Sequence, residues 1–181
     1  MKSKISITQI GITIVGAIAA VFIAHFEDFF PYSWQTYVAP DGTFSIELPG
    51  KAVVETKQVP VEGGTATLHL INAASTSNRA YTCSYVEFNK TDQRPPDQIL
   101  ESARDGSLRN VQGTLVTQSQ ITVQGFPGLQ FQAHARGNSV MDSRILLVEK
   151  RLYMIMGVAP AGHAEPKVVQ RMFDSFKLNP K

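Results

Sequence analysis

Leu129 to Arg136 reads LQFQAHAR, with Leu129, Phe131, Ala133 and Ala135 alternating strictly with Gln130, Gln132, His134 and Arg136. Apolar residues at every second position describe a strand with one face in a core and one face polar. Working outward, Arg136-Gly137-Asn138-Ser139 has hairpin chemistry and leads into a second strand, Val140 to Val148. The tight Glu149-Lys150-Arg151 joint then returns the chain as Leu152 to Val158 (LYMIMGV), which is apolar on both faces. Such a strand belongs in the middle of a sheet covered on each side. Upstream, Gly125-Phe126-Pro127-Gly128 reads as a turn after a strand from Leu115 to Val123.

The first half carries the same period. Thr43 to Leu48 (TFSIEL) sets Phe44, Ile46 and Leu48 on one face, between the turn dipeptides Asp41-Gly42 and Pro49-Gly50. Ala52 to Val59, Thr65 to Leu70 and Arg79 to Phe88 are further predicted strands, with His69 on the polar side of the third strand of this half. Pro95-Pro96-Asp97 opens a helix whose apolar side is Ile99, Leu100, Ala103, Leu108 and Val111, ended by Gly113. A last helix runs from about His163 to Phe176, with Val168, Val169, Met172, Phe173 and Phe176 on one stripe. Four strands, a helix, four strands and a helix, joined mostly by hairpins, predict an α+β domain. Its expected form is a central, mostly antiparallel sheet packed by helices in an α/β/α sandwich.

A different segment precedes it. Ile10 to Ala24 has only Thr13 as a clearly polar interruption, and with Ile5, Ile7 and Phe26 the apolar stretch Ile5 to Phe26 reaches 22 residues, enough to span a bilayer as one helix. Lys2 and Lys4 precede it and Glu27 and Asp28 follow, so the expected topology keeps the amino terminus cytoplasmic and exports the rest. Residues 1–26 are thus expected to be a transmembrane anchor or signal segment, 27–33 a juxtamembrane connector, and 34–181 the folded domain. An uncleaved anchor is favoured, because Phe22 two places before Ala24 spoils a small-residue cleavage site. Trp34 fits two readings, a ring at the headgroup level or the first residue of a packed strand.

Composition narrows the function classes. Lys2 and Lys4 account for the basic excess, so from Glu27 onward 15 basic residues face 15 acidic ones. A neutral domain lacks the field that gathers phosphate backbones, and nucleic acid is not an expected partner. The single cysteine, Cys83, excludes an intrachain disulfide and a paired-cysteine zinc site. It shares a strand face with Tyr81 and Tyr85, with no neighbouring cation to activate it, and reads as a small buried hydrophobe. No nucleophile elbow, phosphate loop or H-E-x-x-H motif is present, and His25, His69, His134 and His163 have no metal-ligand spacing. No catalytic, cofactor or metal residue is therefore assigned. Two features suit recognition instead: the polar row Gln130, Gln132, His134 and Arg136, and the charged loop Asn89 to Asp97.

PDGTFSIELPG (Pro40 to Gly50), GFPGLQFQA (Gly125 to Ala133), RLYMIMG (Arg151 to Gly157) and FDSFKL (Phe173 to Leu178) follow one another in a familiar order. The domain resembles bacterial extracytoplasmic domains of unknown function related to the PsbP-type fold, which is shared by the extrinsic photosystem II protein and a Ran-binding nuclear import factor. The resemblance spans roughly Trp34 to Leu178 and implies a sheet sandwiched by helices, serving as a scaffold for proteins or ligands. The sequence leads to a single-pass membrane protein whose exported domain is a non-enzymatic binding or assembly module, with no cofactor and a protein partner. Two alternatives stay open. One is a hydrolase-like enzyme with His69 or His134 brought beside Asp142 or Glu87 in a deep pocket; the other is a photosystem accessory subunit.

Overall fold

A computed structural model describes residues 33–61, 64–75, 79–88 and 94–179. The predicted span Ile5 to Phe26 and nearly all of the connector lie outside them. Among the described residues no helix is long and apolar enough to cross a membrane.

The strands are β1 (Trp34–Val38), β2 (Phe44–Pro49), β3 (Ala52–Val61), β4 (Gly64–Ser75) and β5 (Arg79–Glu87), then β6 (Thr114–Val123), β7 (Phe126–Ala135), β8 (Ser139–Val148), β9 (Arg151–Pro160) and the short β10 (Lys177–Leu178). The helices are α1 (Pro96–Asn110) and α2 (Pro166–Ser175), the second preceded by a 3-10 turn at Ala161–His163. Seven strands form one sheet in the order β3-β4-β5-β9-β8-β7-β6, with every neighbour antiparallel. The doubly apolar β9 lies in its middle, as its composition predicts.

One expectation needs correction. The alternating segment around Phe44–Leu48 does not join the central sheet; it pairs with β1 and β10 in a separate three-stranded sheet. Local period describes a half-buried strand but not its pairing partner, so the two arrangements look alike in sequence. The domain is consequently covered by α1 on one face of the large sheet, and by α2 with the small sheet on the other. Leu100 and Ala103 of α1 pack with Leu68, Leu70, Phe131, Met141 and Met154. On the opposite face Phe44, Ile46 and Leu48 of β2 meet Met172 and Phe173 of α2 over Ile71, Tyr153 and Ile155. Phe44 is fully buried, with the rings of Tyr85, Tyr153 and Phe176 at 5.4–5.6 Å. Aromatic rings at such spacing add to their burial by edge and tilted contacts.

Gly157 on β9 lets α2 approach, because a Cβ there would lie 2.4 Å from Val169 Cγ2. The β6–β7 connection is also tighter than its sequence suggests. Gln124 and Gly125, with φ of 50° and 88°, make a two-residue turn, so Phe126, Pro127 and Gly128 belong to β7 rather than to a loop. Positive φ at both central residues matches the right-handed twist of the flanking strands. Gly128 stays in the strand because a Cβ would meet the Leu146 side chain and the Ile145 carbonyl at 2.5 and 2.7 Å. Trp34 begins β1, and its ring carries the Arg171 guanidinium at 4.1 Å, so it packs on the domain.

Candidate functional site

The site grows from a turn. Gly42, at φ 72°, reverses the chain before β2, and the Asp41 carboxylate accepts from the Thr43 hydroxyl at 2.7 Å and from its backbone N–H at 3.2 Å. That fixes one carboxylate oxygen and turns the other toward the large sheet. There the register sets Glu87 of β5 opposite Arg151 of β9. The guanidinium joins the two sheets: Nη1 donates to Asp41 Oδ2 at 2.7 Å and Thr43 Oγ1 at 2.8 Å, while Nε and Nη2 reach Glu87 Oε2 at 2.9 and 2.8 Å. Burial alone would raise the Asp41 pKa, but the hydrogen bonds from Thr43 and Arg151 hold it at about 2. For Arg151 burial favours the neutral form, and hydrogen bonding with Tyr153, Asp41 and Glu87 overrides it, so the guanidinium is held more firmly charged.

An aromatic row runs beside this cation across β4, β5 and β9. His69 stacks on Tyr85 with centroids 4.4 Å apart and planes 8° from parallel, Tyr153 follows at 5.7 Å, and Arg151 lies 5.4 Å from the Tyr85 centroid. His69 is thus half-buried in a stack rather than standing on a solvated surface, because the polar side of its strand is the face that the small sheet covers. Burial, reinforced by Arg151, lowers its pKa against the pull of Asp41 and Glu87, and the ring is neutral near neutrality. Burial likewise pushes Tyr85 up to about 12. Cys83, fully buried on the same face, has its thiol pKa raised strongly by burial and lies out of reach of reagents.

Arg151 and Tyr153 form the floor of an open cleft of about 720 Å³. Phe126, Val148 and Leu178 give it an apolar wall, and Glu87, Glu149 and Lys150 a charged rim. The wall is held by Gln124, whose side-chain amide accepts from the Leu178 N–H at 2.7 Å and donates to its carbonyl at 2.9 Å, standing in for a neighbouring strand. The Phe88 N–H donates to the Lys150 carbonyl at 2.8 Å, which puts the entry of the Asn89–Asp97 loop beside the rim. Residues 89–93 of that loop lie outside the described residues.

Of the groups named for the alternative constellation, His69 lies within range of the Glu87 charge, with its ring stacked on Tyr85. Neither His69 nor His134 lines the cleft. The two histidines sit on β4 and β7 with three strands between them, roughly 19 Å apart at ordinary strand spacing. Asp142 accepts from Gln132 at 2.9 Å, and Glu87 is engaged by Arg151. Half of the polar row is used within the domain, since Gln130 accepts from Arg144, which also donates to the Phe173 carbonyl at the end of α2. His134 and Arg136 remain exposed, and His163 is exposed in the 3-10 turn. Among the described residues no group of three or more His, Cys, Asp or Glu is placed to hold a metal ion. The Arg151 bridge itself was not read from sequence. The only signal for it was a charged residue at each of two strand entries, Arg151 opening β9 and Asp41 in the turn before β2, and strand pairing decides whether they meet.

No protein-family model matches the chain, and no curated protein matches it. Solved structures do. The chain is similar to the solution structure of cyanobacterial PsbP (CyanoP) from Synechocystis sp. PCC 6803, with a TM-score of 0.54 at 11% identity over 87% of this chain and 99% of that one. A Pseudomonas aeruginosa protein of unknown function, described as a putative regulator, aligns with a TM-score of 0.43 at 14% identity, covering 82% of this chain and 97% of its own. With an antiparallel sheet between helices and the first of these alignments spanning nearly the whole described domain, the chain has a PsbP-like fold.

Proposed function

We propose that this is a single-pass membrane protein that presents its PsbP-like domain outside the cytoplasm as a non-enzymatic binding or assembly module. The apolar run Ile5 to Phe26 supports the tether, and Lys2 and Lys4 support the orientation. The observation that carries the binding role is the state of Arg151. Its hydrogen bonds go to groups of its own chain, Asp41, Thr43, Glu87 and Tyr153, so the cleft presents a fixed shape and a charged rim rather than a poised proton donor or nucleophile. An apolar wall beside polar groups suits a protein segment or an amphipathic ligand.

The test has two arms. A reporter fused after Lys181 is expected to be active only outside the cytoplasm; activity only inside reverses the topology. A photo-crosslinker placed at Lys150 on the rim is expected to give an adduct of one defined mass in membranes, and the same probe at Arg136, in the β7–β8 turn at the other end of the strands, is not. Equal labelling at both positions, or hydrolytic turnover that disappears in His69→Ala, overturns the binding role.

A further inference from the structure

The two outer strands of the large sheet differ. β6 carries a register shift between Leu115 and Thr117, which interrupts its edge. β3 pairs with β4 without a break from Ala52 to Val61, and among the described residues no strand pairs with its other edge. An unpaired regular edge is a template for another strand, and proteins usually guard it with lysine or proline. β3 has both, but Pro60 lies near one end, and Lys57 forms an ion pair with Glu55 on its own strand at 3.1 Å.

That spacing is self-complementary. In an antiparallel pairing of β3 with itself about a two-fold axis at Thr56, Glu55 falls opposite Lys57 of the second copy, and Lys57 opposite its Glu55. Directly opposed unlike charges stabilise a strand pair, and so does a threonine facing a threonine. The same register sets Val53 opposite the second copy's Val59. Val53 and Val54 are 55% and 49% exposed on a strand whose Val59 is buried, so the pairing covers side chains that the monomer leaves in water. All these partners lie on matching faces, since residues of equal parity in a strand share a face. Pro60 costs a ladder bond only at each end of the contact.

We propose that β3 is a self-association edge, pairing with β3 of a second copy about a two-fold axis at Thr56 to continue the seven-stranded sheet across both molecules. The charge pattern selects a second copy over a foreign strand, because the axis that aligns the backbones also satisfies both ion pairs at once. This surface is separate from the cleft and stands or falls independently of the binding role.

Cysteine crosslinking of the full-length chain in its membrane captures even a small contact. Thr56→Cys is expected to give a disulfide-linked dimer on oxidation, because residue 56 faces itself across the axis. Val54→Cys or Gln58→Cys alone is expected to give little, since each is about 14 Å along the strand from its own copy, beyond disulfide reach. The two variants mixed should crosslink to each other. The unmodified chain is the control, its Cys83 being buried. In the Thr56→Cys background, Lys57→Glu should reduce the dimer band several-fold, and Glu55→Lys with Lys57→Glu should restore it. Equal dimer yields at positions 54, 56 and 58, failure of the charge exchange to restore the band, or adducts only of Thr56→Cys with a different protein would overturn the proposal. Trp34 fluorescence confirms that each variant is folded.

Discussion

Replacing Arg151 with methionine keeps most of the side-chain volume and removes the charge that joins the two sheets. Asp41 then loses a charge-assisted hydrogen bond of 2.7 Å, Glu87 its contacts at 2.8 and 2.9 Å, and Tyr85 the cation near its ring. The first loss is worth about 1.5–3 kcal/mol, the exposed pair under about 1, and the ring contact about 0.5–1. Arg151 and Asp41 are 22% and 32% exposed, Glu87 54%, so most of the effect should run through Asp41. The expected destabilisation is about 3 kcal/mol, and a double-mutant cycle with Asp41→Asn should recover a coupling of about 1.5 kcal/mol.

The pH dependence supplies an independent reading. Asp41 falls from 3.8 to about 2 in the folded chain, so its contribution is present above the unfolded value and is lost as pH drops through that window. The shift is worth at most about 2.5 kcal/mol, and roughly 1 kcal/mol once the water around a third of the carboxylate is counted. In Arg151→Met the carboxyl returns toward its ordinary range, and that share of the acid sensitivity should vanish. Urea unfolding followed by Trp34 fluorescence, at about pH 6 and about pH 3, measures both quantities. A coupling below about 0.3 kcal/mol with an unchanged acid response would show that the bridge is decorative and the reasoning wrong.

Gly157→Ala sets a methyl 2.4 Å from Val169 and should cost about 1–3 kcal/mol, with partial recovery in the double variant carrying Val169→Ala; no recovery would place the strain elsewhere. Phe44→Ala empties the centre of the inter-sheet aromatic cluster and should cost about 3–5 kcal/mol in the same urea assay, whereas a loss under about 1 would mean the small sheet is dispensable. Cys83 should resist an aromatic disulfide reagent in the native state and react on denaturation; labelling faster than global unfolding would contradict its burial.

The PsbP-like fold bears on these outcomes through its layers. The cleft lies where the small sheet, the β8–β9 turn and the β6–β7 turn converge, so altering Arg151 changes the joint between layers and the floor of the cleft together. Loss of stability and loss of any rim-specific adduct are therefore separable only by comparing Arg151→Met with a rim substitution such as Lys150→Ala, which leaves the joint intact.

Alternation along LQFQAHAR and TFSIEL determined that these segments are strands with one apolar face, and the stripe Val169, Met172, Phe173 determined a helix lying on such a face. These are properties of a few consecutive residues, because side-chain direction follows backbone period. Sequence also determined the central place of LYMIMGV, since a strand apolar on both faces is stable only with cover on each side. Which strand pairs with which is a long-range matter, decided by packing rather than by period. Only the tertiary structure moved Phe44–Pro49 into a second sheet, drew His69 under cover against Tyr85, and brought Asp41 to an arginine 110 residues away. A lone arginine and a lone aspartate carry no local mark of one another; they become a site when two sheets, whose strands are legible in sequence, stack and bring Asp41 and Glu87 to one guanidinium.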